Sequence, residues 1–298
     1  MPFNHKPQKF NAAINTVEIG CGEKAIKLGG ECVFPLYTFD DPIENAPKVG
    51  ILVSDMEADV VEAAKKAEAT EGADFICLSL EGGDPNGADK SVEELVEVVK
   101  AVAEAVTAPI VVEGSKNVEK DSALLPKVAE ALQGKNALIM SAREEDYKTV
   151  GAAVGLAYEQ KLGAESAVDI NLAKQLNVVL TQLGVKPASV VMNVGTAAAG
   201  YGYEYVVSTM DRIKAAALSQ GDATLQMPIV TPVAGDAWSV KESVASEEDM
   251  PEWGPQEERG IAMEIMTAAA DLASGSNAVI LRHPQSVATI SKMIKELM

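Results

Sequence analysis

The chain has 298 residues, with 25 basic against 44 acidic side chains and a net charge of −19 at pH 7. A surface this acidic repels nucleic-acid phosphates and anionic lipids, so we expect neither nucleic acid nor membrane as a partner. No apolar run approaches the ~20 residues of a membrane-spanning helix. The stretch after Met1 lacks the apolar segment of a secretory signal, so we expect a cytoplasmic protein.

Residues 1–48 are predicted to form an N-terminal extension that contains a β-hairpin. Residues 16–21 and 24–28 alternate between apolar and polar side chains, and Gly22 lies between them. In a barrel, a leading hairpin would close the N-terminal mouth, where side chains stabilise the fold rather than perform chemistry. We therefore expect a structural role for this hairpin.

Eight short apolar runs follow, each trailed by an amphipathic helical stretch; they cover 49–53, 75–80, 110–113, 137–141, 167–169, 190–193, 229–232 and 278–282. Strands that are apolar on both faces need cover on both sides, which is typical of parallel strands with helical crossovers. Eight such units predict an α/β fold, a (β/α)8 TIM barrel over residues 49–298, forming one structural domain with the extension. In such barrels, functional residues lie at the carboxyl ends of the strands.

Three Ser-x-x-Glu sequences predict helix starts, and they begin at Ser54, Ser91 and Ser141. In this pattern the serine hydroxyl and the glutamate carboxylate bond to free backbone N–H groups of the first helical turn. The helices that follow are predicted to pack their apolar stripes on the sheet.

Three long loops follow predicted strands, at 81–89, 195–205 and 233–254. Long loops in compact domains are usually functional. The second is rich in glycine and holds Tyr201, Tyr203 and Tyr205, which favours a contact surface because tyrosines are enriched at interfaces. The third holds both tryptophans, Trp238 and Trp253, which either form a lid or docking surface or anchor the loop to the barrel.

Acidic residues end several predicted strands, namely Asp55, Glu81, Glu113 and Asp169. Carboxylates grouped at a barrel mouth can hold a divalent metal, because hard cations prefer oxygen ligands. The alternative is helix capping, which fits Asp55 and Asp169, and we expect no metal site. His283 follows the last strand and is predicted to have a capping or structural role.

The sequence holds no set of residues typical of nucleophilic catalysis, and no lysine lies at a predicted strand centre or end, so we expect no catalytic residues. Cys21, Cys32 and Cys77 are predicted to be buried, reduced thiols, and three thiols are fewer than the four that usually hold an iron–sulfur cluster. Asn193 ends the sixth predicted strand. Its amide would suit a heterocycle edge, a corrinoid amide or a structural bond to loop backbone.

Several motifs resemble one known family over nearly the whole chain. The hairpin sequence Glu18-Ile-Gly-Cys-Gly-Glu-Lys-Ala-Ile-Lys-Leu-Gly-Gly-Glu31 and the segment Pro35-Leu-Tyr-Thr-Phe-Asp40 are similar to the small subunit of the corrinoid iron–sulfur protein. That subunit is called delta in the acetyl-CoA decarbonylase/synthase complex. Leu80-Glu-Gly-Gly-Asp-Pro85, Val111-Val-Glu-Gly-Ser115 and Met192-Asn-Val-Gly-Thr196 add to the resemblance. More distantly, the barrel resembles the pterin-binding methyltransferases.

The resemblance implies a subunit of a methyl carrier in the reductive acetyl-CoA (Wood–Ljungdahl) pathway. In that family a large subunit holds the [4Fe–4S] cluster and a cobalamin, and the small subunit is a barrel that covers the cobalamin in a heterodimer. The cobalt accepts a methyl group from methyltetrahydrofolate through a separate methyltransferase and delivers it to acetyl-CoA synthase, the partner of CO dehydrogenase. The resemblance therefore implies no independent active site on this chain.

Strand-end geometry and the resemblance together predict residues that face the corrinoid or the large subunit; they are Asn193, Gly195, Thr196, Gly200, Tyr201, Gly202, Thr231 and Asp236. Pterin-binding relatives grip their ligand with acidic and amide side chains at strand ends, and Glu113, Asn117, Asn193 and Asp169 fall near such positions. Ser141 stands where a pterin-binding amide is expected.

Two further hypotheses stay open. One is a free-standing methyltetrahydrofolate-dependent methyltransferase with its own pterin pocket. The other is a barrel enzyme that uses a metal at Glu81, Glu113 and Asp169.

Overall fold

A computed structural model describes residues 9–34 and 45–298. The first element is an antiparallel hairpin of β1 (Val17–Ile19) and β2 (Ile26–Leu28), joined through a short turn at Gly22–Lys24. It confirms the predicted hairpin. The motif segment 35–40 lies outside the described residues.

Eight parallel strands form the body of the fold: β3 (Lys48–Ser54), β4 (Phe75–Ser79), β5 (Ile110–Glu113), β6 (Leu138–Ala142), β7 (Lys161–Glu165), β8 (Val190–Asn193), β9 (Val230–Thr231) and β10 (Ala278–Leu281). Their order is β8-β7-β6-β5-β4-β3-β10-β9, so every neighbour follows the chain except where β10 pairs with β3. A single parallel bridge between Met192 and Ile229 joins β8 to the residue before β9 and closes the cylinder. The predicted (β/α)8 barrel is confirmed.

Helices connect these strands and cover the outside: α1 (Val60–Glu68), α2 (Val92–Ala105), α3 (Val118–Ala131), α4 (Tyr147–Gly151), α5 (Ile170–Leu183), α6 (Tyr203–Lys214), α7 (Val233–Ala237), α8 (Lys241–Val244), α9 (Gln256–Ser274) and α10 (Pro284–Leu297). Two of them end in a wider π-helical turn, α4 over Ala152–Ala157 and α6 over Ala215–Ser219. Outward-facing strand residues such as Ile76 and Val112 pack in one buried cluster with these helices.

One predicted strand was wrong. The fifth barrel strand is Lys161–Glu165, not 167–169. Ala167 and Val168 have φ angles of +44° and +64°, which an extended strand cannot accommodate. The true strand gave no apolar signal because charged residues stand at both of its ends.

Of the three predicted helix starts, only Ser91 is confirmed. Its hydroxyl accepts the N–H of Glu94, and the Glu94 carboxylate accepts the N–H of Ser91. The predictions at Ser54 and Ser141 were wrong because both residues belong to strands, and Asp59 and Asp146 precede the helices instead.

The hairpin fills the N-terminal end of the barrel. Its four apolar side chains are buried in one cluster with the inward-facing residues of six strands: Val17, Ile19, Ile26 and Leu28 pack with Phe75, Cys77, Val111, Leu138, Met140, Val191, Val230, Ala278 and Ile280. Asn136, just before β6, fastens the hairpin by donating to the carbonyls of Glu18 (2.9 Å) and Gly20 (3.0 Å). The barrel is therefore closed at this end.

A buried ion pair joins the N-terminal extension to the barrel wall. Lys214 Nζ at the end of α6 lies 2.6 Å from Glu31 Oε1 and 3.1 Å from Asn277 Oδ1. The Asn277 amide also donates to Glu31. Burial alone would raise the pKa of Glu31, but Lys214 and Asn277 together lower it below its usual value.

All three cysteines are free thiols, but only Cys77 is fully buried and Cys21 is exposed, so the prediction of buried thiols was wrong for Cys21. Within residues 9–34 and 45–298, no helix is long and apolar enough to cross a membrane.

Candidate functional site

A polar cavity of about 520 Å³ opens at the carboxyl ends of strands β5 to β9. Its walls come from the strand ends and the loops that follow them: Glu113, Gly114, Lys116, Val118, Asp121, Met140, Ser141, Arg143, Glu165, Ala167, Val168, Asn193, Gly195, Thr196, Pro232 and Asp236. Small-molecule sites are mostly apolar with a few placed polar groups. Nine of these sixteen residues have polar or charged side chains, so the cavity suits a ligand, or the edge of a larger ligand, that forms several hydrogen bonds.

Six charged side chains line the cavity, and three of them lie outside the Arg143 network: Lys116, Glu113 and Asp236. Burial raises the pKa of Glu113, and the charges of Glu165 and Glu81 add to the rise while Lys116 opposes it. Desolvation also raises the pKa of Asp236, again against Lys116. No described carboxylate forms an ion pair with the Lys116 ammonium, which leaves its three donors for a ligand.

Arg143 holds the opposite wall in a fixed position. Its Nε lies 3.1 Å from Glu165 Oε1 and its Nη2 lies 3.3 Å from Oε2, a two-point pair between the ends of β6 and β7. The third guanidinium nitrogen, Nη1, is 3.6 Å from Asp121 Oδ2 on α3. Asp121 is itself bonded through Oδ1 to the backbone N–H and hydroxyl of Ser115. The network ties two strands and a helix together.

Asn193 lies buried between the cavity and the following loop. Its Oδ1 accepts the N–H of Gly195 at 3.0 Å, and its Nδ2 donates to the Ser141 hydroxyl at 3.3 Å. One amide N–H and one lone pair remain, as does the proton of the Ser141 hydroxyl. Asn193 therefore both shapes the loop and can present a donor to a ligand.

The backbone at this cavity is strained. Lys116, Ala167 and Val168 have φ angles of +67°, +44° and +64°, a region that residues with a Cβ rarely adopt and β-branched residues almost never do. All three line the cavity. Such strain persists only where the surrounding structure imposes it, and it concentrates at functional sites.

The loop between β8 and α6, residues 195–202, is fastened to α9 at two points. The Thr196 hydroxyl donates to Asp271 Oδ2 at 2.9 Å, and the N–H of Ala199 donates to the Thr267 hydroxyl at 3.1 Å. Asp271 is fully buried, and burial raises its pKa to about 7. We call residues 195–202 the β8–α6 loop from here on.

The structure brings half of the predicted site residues to the cavity. Asn193, Gly195, Thr196 and Asp236 line it. The other four lie elsewhere: Gly200, Tyr201, Gly202 and Thr231. Gly200 faces a shallow depression on α6, Tyr201 is exposed and donates to Glu242 at 2.7 Å, and Gly202 caps α6 with a φ of +86°. Thr231 is fully buried, with its hydroxyl bonded to Ser276.

The open question about the tryptophans is settled for Trp238, which anchors its loop. Its ring stacks with His283 at a centroid distance of 6.0 Å, and the Arg282 guanidinium lies 5.5 Å from the ring. A Cβ placed on Gly260 would come within 2.3 Å of the indole, so α9 and the ring are in close contact. His283 caps α10 by accepting the N–H of Gln285, as expected.

Of the four acidic strand ends, Glu113 lines the cavity, whereas Asp55 and Asp169 serve local structure. Asp55 accepts the N–H of Gly82 and pairs with Lys90 at 2.8 Å, and Asp169 caps α5. Asn117, placed near a possible pterin contact, caps α3. No group of three or more metal-binding side chains occurs in the described parts of the chain.

Four charged residues of the cavity were not identified from the sequence: Lys116, Asp121, Arg143 and Glu165. Lys116 follows β5 by three positions, and only its strained backbone marks it. Glu165 was missed because the fifth strand was misplaced, and its partner Arg143 had been assigned to a helix cap. A search for charged residues within three positions of each strand end would have found Lys116 and Arg143.

Fold and cavity together define the class, a (β/α)8 barrel with a polar site at the carboxyl ends of its strands. The family model described as the CO dehydrogenase/acetyl-CoA synthase delta subunit matches residues 16–283, and the chain belongs to this family.

Curated relatives support the same assignment. Subunit delta 2 of the acetyl-CoA decarbonylase/synthase complex from Methanosarcina acetivorans is 33% identical over 93% of this chain and 67% of its own length. The delta subunit from Methanothermobacter thermautotrophicus is 33% identical over 96% of this chain and 76% of its own length. The chain thus spans two thirds to three quarters of these relatives.

Solved structures confirm the fold. A dihydropteroate synthase from Xanthomonas albilineans with 4-aminobenzoic acid aligns with a TM-score of 0.61 and 13% identity over 95% of this chain and 98% of that one. The Yersinia pestis enzyme with a pterine-sulfa conjugate gives a TM-score of 0.58 and 14% identity over 84% of this chain and 93% of that one. At these identities the likeness concerns the barrel alone.

Proposed function

We propose that this chain is the barrel subunit of a corrinoid iron–sulfur methyl carrier, pairing with a large subunit that holds a cobalamin and a [4Fe–4S] cluster. Membership of the delta-subunit family supports the assembly. The observation that carries the role is the polar cavity at the open end of a barrel whose other end the hairpin fills. A cofactor held by a partner can approach this barrel only from the open end.

The cavity fits the edge of a corrinoid rather than its metal. The corrin ring carries peripheral amides, each with donors and an acceptor. Lys116 and the free Asn193 N–H offer donors, and the carboxyl groups of Glu113 and Asp236 offer acceptors. His283 is engaged with Gln285 and Glu257, so residues 9–34 and 45–298 present no free imidazole to cobalt.

The chain's own residues would cover and position the cofactor. Cobalamin, when bound, would supply the methyl-transfer chemistry between a methyltetrahydrofolate-dependent methyltransferase and acetyl-CoA synthase, which acts with CO dehydrogenase. The β8–α6 loop and the loop over residues 233–255 would exclude water from the reduced metal and move aside for each partner. On this proposal the chain has no independent active site and works in the cytoplasm.

The test is anaerobic affinity purification of the tagged chain from its native cells, read by subunit mass and visible absorption. We expect one large partner in equal amount, with corrinoid and iron–sulfur absorption. The Asn193→Ala variant should retain the partner but change the corrinoid spectrum or its reduction potential. The matched control is Glu97→Ala, an exposed residue on α2. A colourless homo-oligomer would overturn the proposal.

A second candidate is an independent methyltetrahydrofolate-dependent methyltransferase. The observation in its favour is that Glu113 and Asn193, an acid and an amide at strand ends, share one cavity. Ser141 occupies the position where such a site would place an amide. Equilibrium binding of methyltetrahydrofolate to the purified chain decides the matter. Binding that Asn193→Ala abolishes would favour the transferase, and no binding would remove it.

A further inference from the structure

The β8–α6 loop forms one wall of the cavity and is attached to α9. Gly195 and Thr196 line the cavity. From the same loop, the Thr196 hydroxyl bonds to Asp271 and the Ala199 N–H bonds to Thr267. The position of this wall therefore depends on two side chains of α9 that do not themselves line the cavity.

Asp271 is an unusual anchor because it is a carboxyl group with no cation beside it. Its side chain is fully buried, and Oδ1 has no hydrogen-bond partner in the described structure. The ionisable groups acting on it are Tyr203 of α6 and Asp236 of α7, and no charged group of α8, α10 or β10 acts on it. Tyr203 is neutral near pH 7, and a charge on Asp236 repels a charge on Asp271.

A buried carboxylate without a cation is costly, so this site favours the neutral acid. Burial raises the pKa of Asp271 from 3.8 to about 7; the bond from Thr196 and the nearby Tyr203 hydroxyl oppose the rise, and Asp236 adds to it. When the carboxyl ionises, the cost falls if water reaches it. The segment bonded to Asp271 through Thr196 is the β8–α6 loop, and its glycines Gly195, Gly200 and Gly202 have positive φ angles.

We propose that Asp271 is a proton-dependent latch: as the neutral acid it holds the β8–α6 loop against α9 and closes the cavity wall, and as the carboxylate it releases the loop. The contact with Thr196 transmits the change to the cavity. This inference concerns the chain's own conformation and does not depend on the identity of the ligand.

The coupling between ionisation of Asp271 and opening of the loop sets how the open fraction changes with pH and where the change stops. An open loop lets Asp271 ionise near its ordinary pKa of 3.8, whereas the closed loop delays ionisation to about pH 7. The open fraction therefore rises with pH between these two values and levels off above the second. If opening hydrates the carboxyl fully, the open population grows about tenfold between pH 6 and pH 8.

Hydrogen–deuterium exchange of the intact chain, followed by mass spectrometry at pH 5, 6, 7 and 8, tests the latch. Labelling times are scaled for the intrinsic effect of pH on exchange. We expect the protection of residues 195–202 to fall about tenfold from pH 6 to pH 8. Peptides from β4 should show no such change. Constant protection of the loop from pH 5 to pH 8 would overturn the proposal.

Three variants separate a latch from a merely structural contact. Asp271→Asn cannot ionise but keeps an acceptor for Thr196, so the loop should stay protected at every pH. Thr196→Val breaks the contact, so the loop should be poorly protected at every pH. Asp211→Asn is the control: burial also raises the pKa of Asp211, but it lies exposed on α6. A pH dependence that persists in Asp271→Asn would refute the latch.

Discussion

At the scale of single residues, the buried pair of Lys214 and Glu31 carries a clear stability prediction. Replacing Lys214 with Met leaves the Glu31 carboxylate buried with only the Asn277 amide beside it. Removing one partner of such a pair typically costs about 3–5 kcal/mol in unfolding free energy. Urea unfolding at pH 7 measures this loss.

The control is Lys292→Met; the Lys292 side chain is 77% exposed, so its replacement should change stability by less than ~0.5 kcal/mol. Because the pKa of Glu31 is lowered, the contribution of the pair should be present near neutral pH and fade as the pH falls through the acidic range. Equal losses for the two lysine variants would contradict the prediction.

The pH dependence of stability due to Asp271 has the opposite sign to that due to Glu31. Its pKa rises to about 7 on folding, so the folded state loses stability relative to the unfolded chain as pH rises from about 4 to about 7. Asp271→Asn should therefore be more stable than the parent, and its advantage should grow by about 2–3 kcal/mol between pH 5 and pH 8. Chemical unfolding at the two pH values measures it. An advantage that is independent of pH would sink this assignment.

How far individual site residues can be predicted depends on how they reach the cavity. Asn193, Gly195, Thr196 and Asp236 could be placed from sequence because they follow strands with clear apolar cores. Thr231 also follows that logic, yet its side chain turns to Ser276 because alternate residues of a strand face opposite sides. A slip of one residue in register, invisible in so short a strand, decides which side a residue faces.

At the scale of secondary-structure elements, the hairpin is predicted to contribute to the barrel core. Ile19 is 1% exposed among the inward-facing strand residues. Ile19→Ala should destabilise the whole domain by about 2–5 kcal/mol, because the cavity it leaves lies in the buried cluster at the N-terminal end of the barrel. Thermal unfolding checks the prediction. Glu18→Ala, on the exposed face of the same strand, is the matched control and should have little effect.

The helix cap at Ser91 and the barrel strand β7 differ in how well the sequence specifies them. The Ser91 cap was predictable because both halves of its reciprocal bond are local in sequence. Strand β7 was not, because it is held by pairing with β6 and β8 rather than by its own apolar content. At Gly163 a Cβ would come within 2.9 Å of Met140, so that position of β7 is set by the neighbouring strand.

At the scale of the whole molecule, the barrel has a weak seam. Strands β3 and β4 pair over five residues, whereas β9 has two residues and meets β8 through the single bridge of Met192 with Ile229. Elements with few ladder bonds open at lower free energy than the core. Native-state hydrogen exchange should therefore show protection around Val230 about tenfold or more below that of β4. Similar protection in the two strands would show that helix packing, not strand pairing, controls opening.

Because the hairpin fills the N-terminal end of the barrel, ligands and partners can reach the cavity only one after another. A barrel that is blocked at one end has a single entrance, so a group that enters the cavity must leave by the route it came. A molecule bound over this entrance blocks every other ligand or partner until it dissociates. Two partners that use this entrance must therefore bind one after the other. The slower of two steps, dissociation of the first partner or binding of the second, then limits the rate at which a group enters or leaves the cavity.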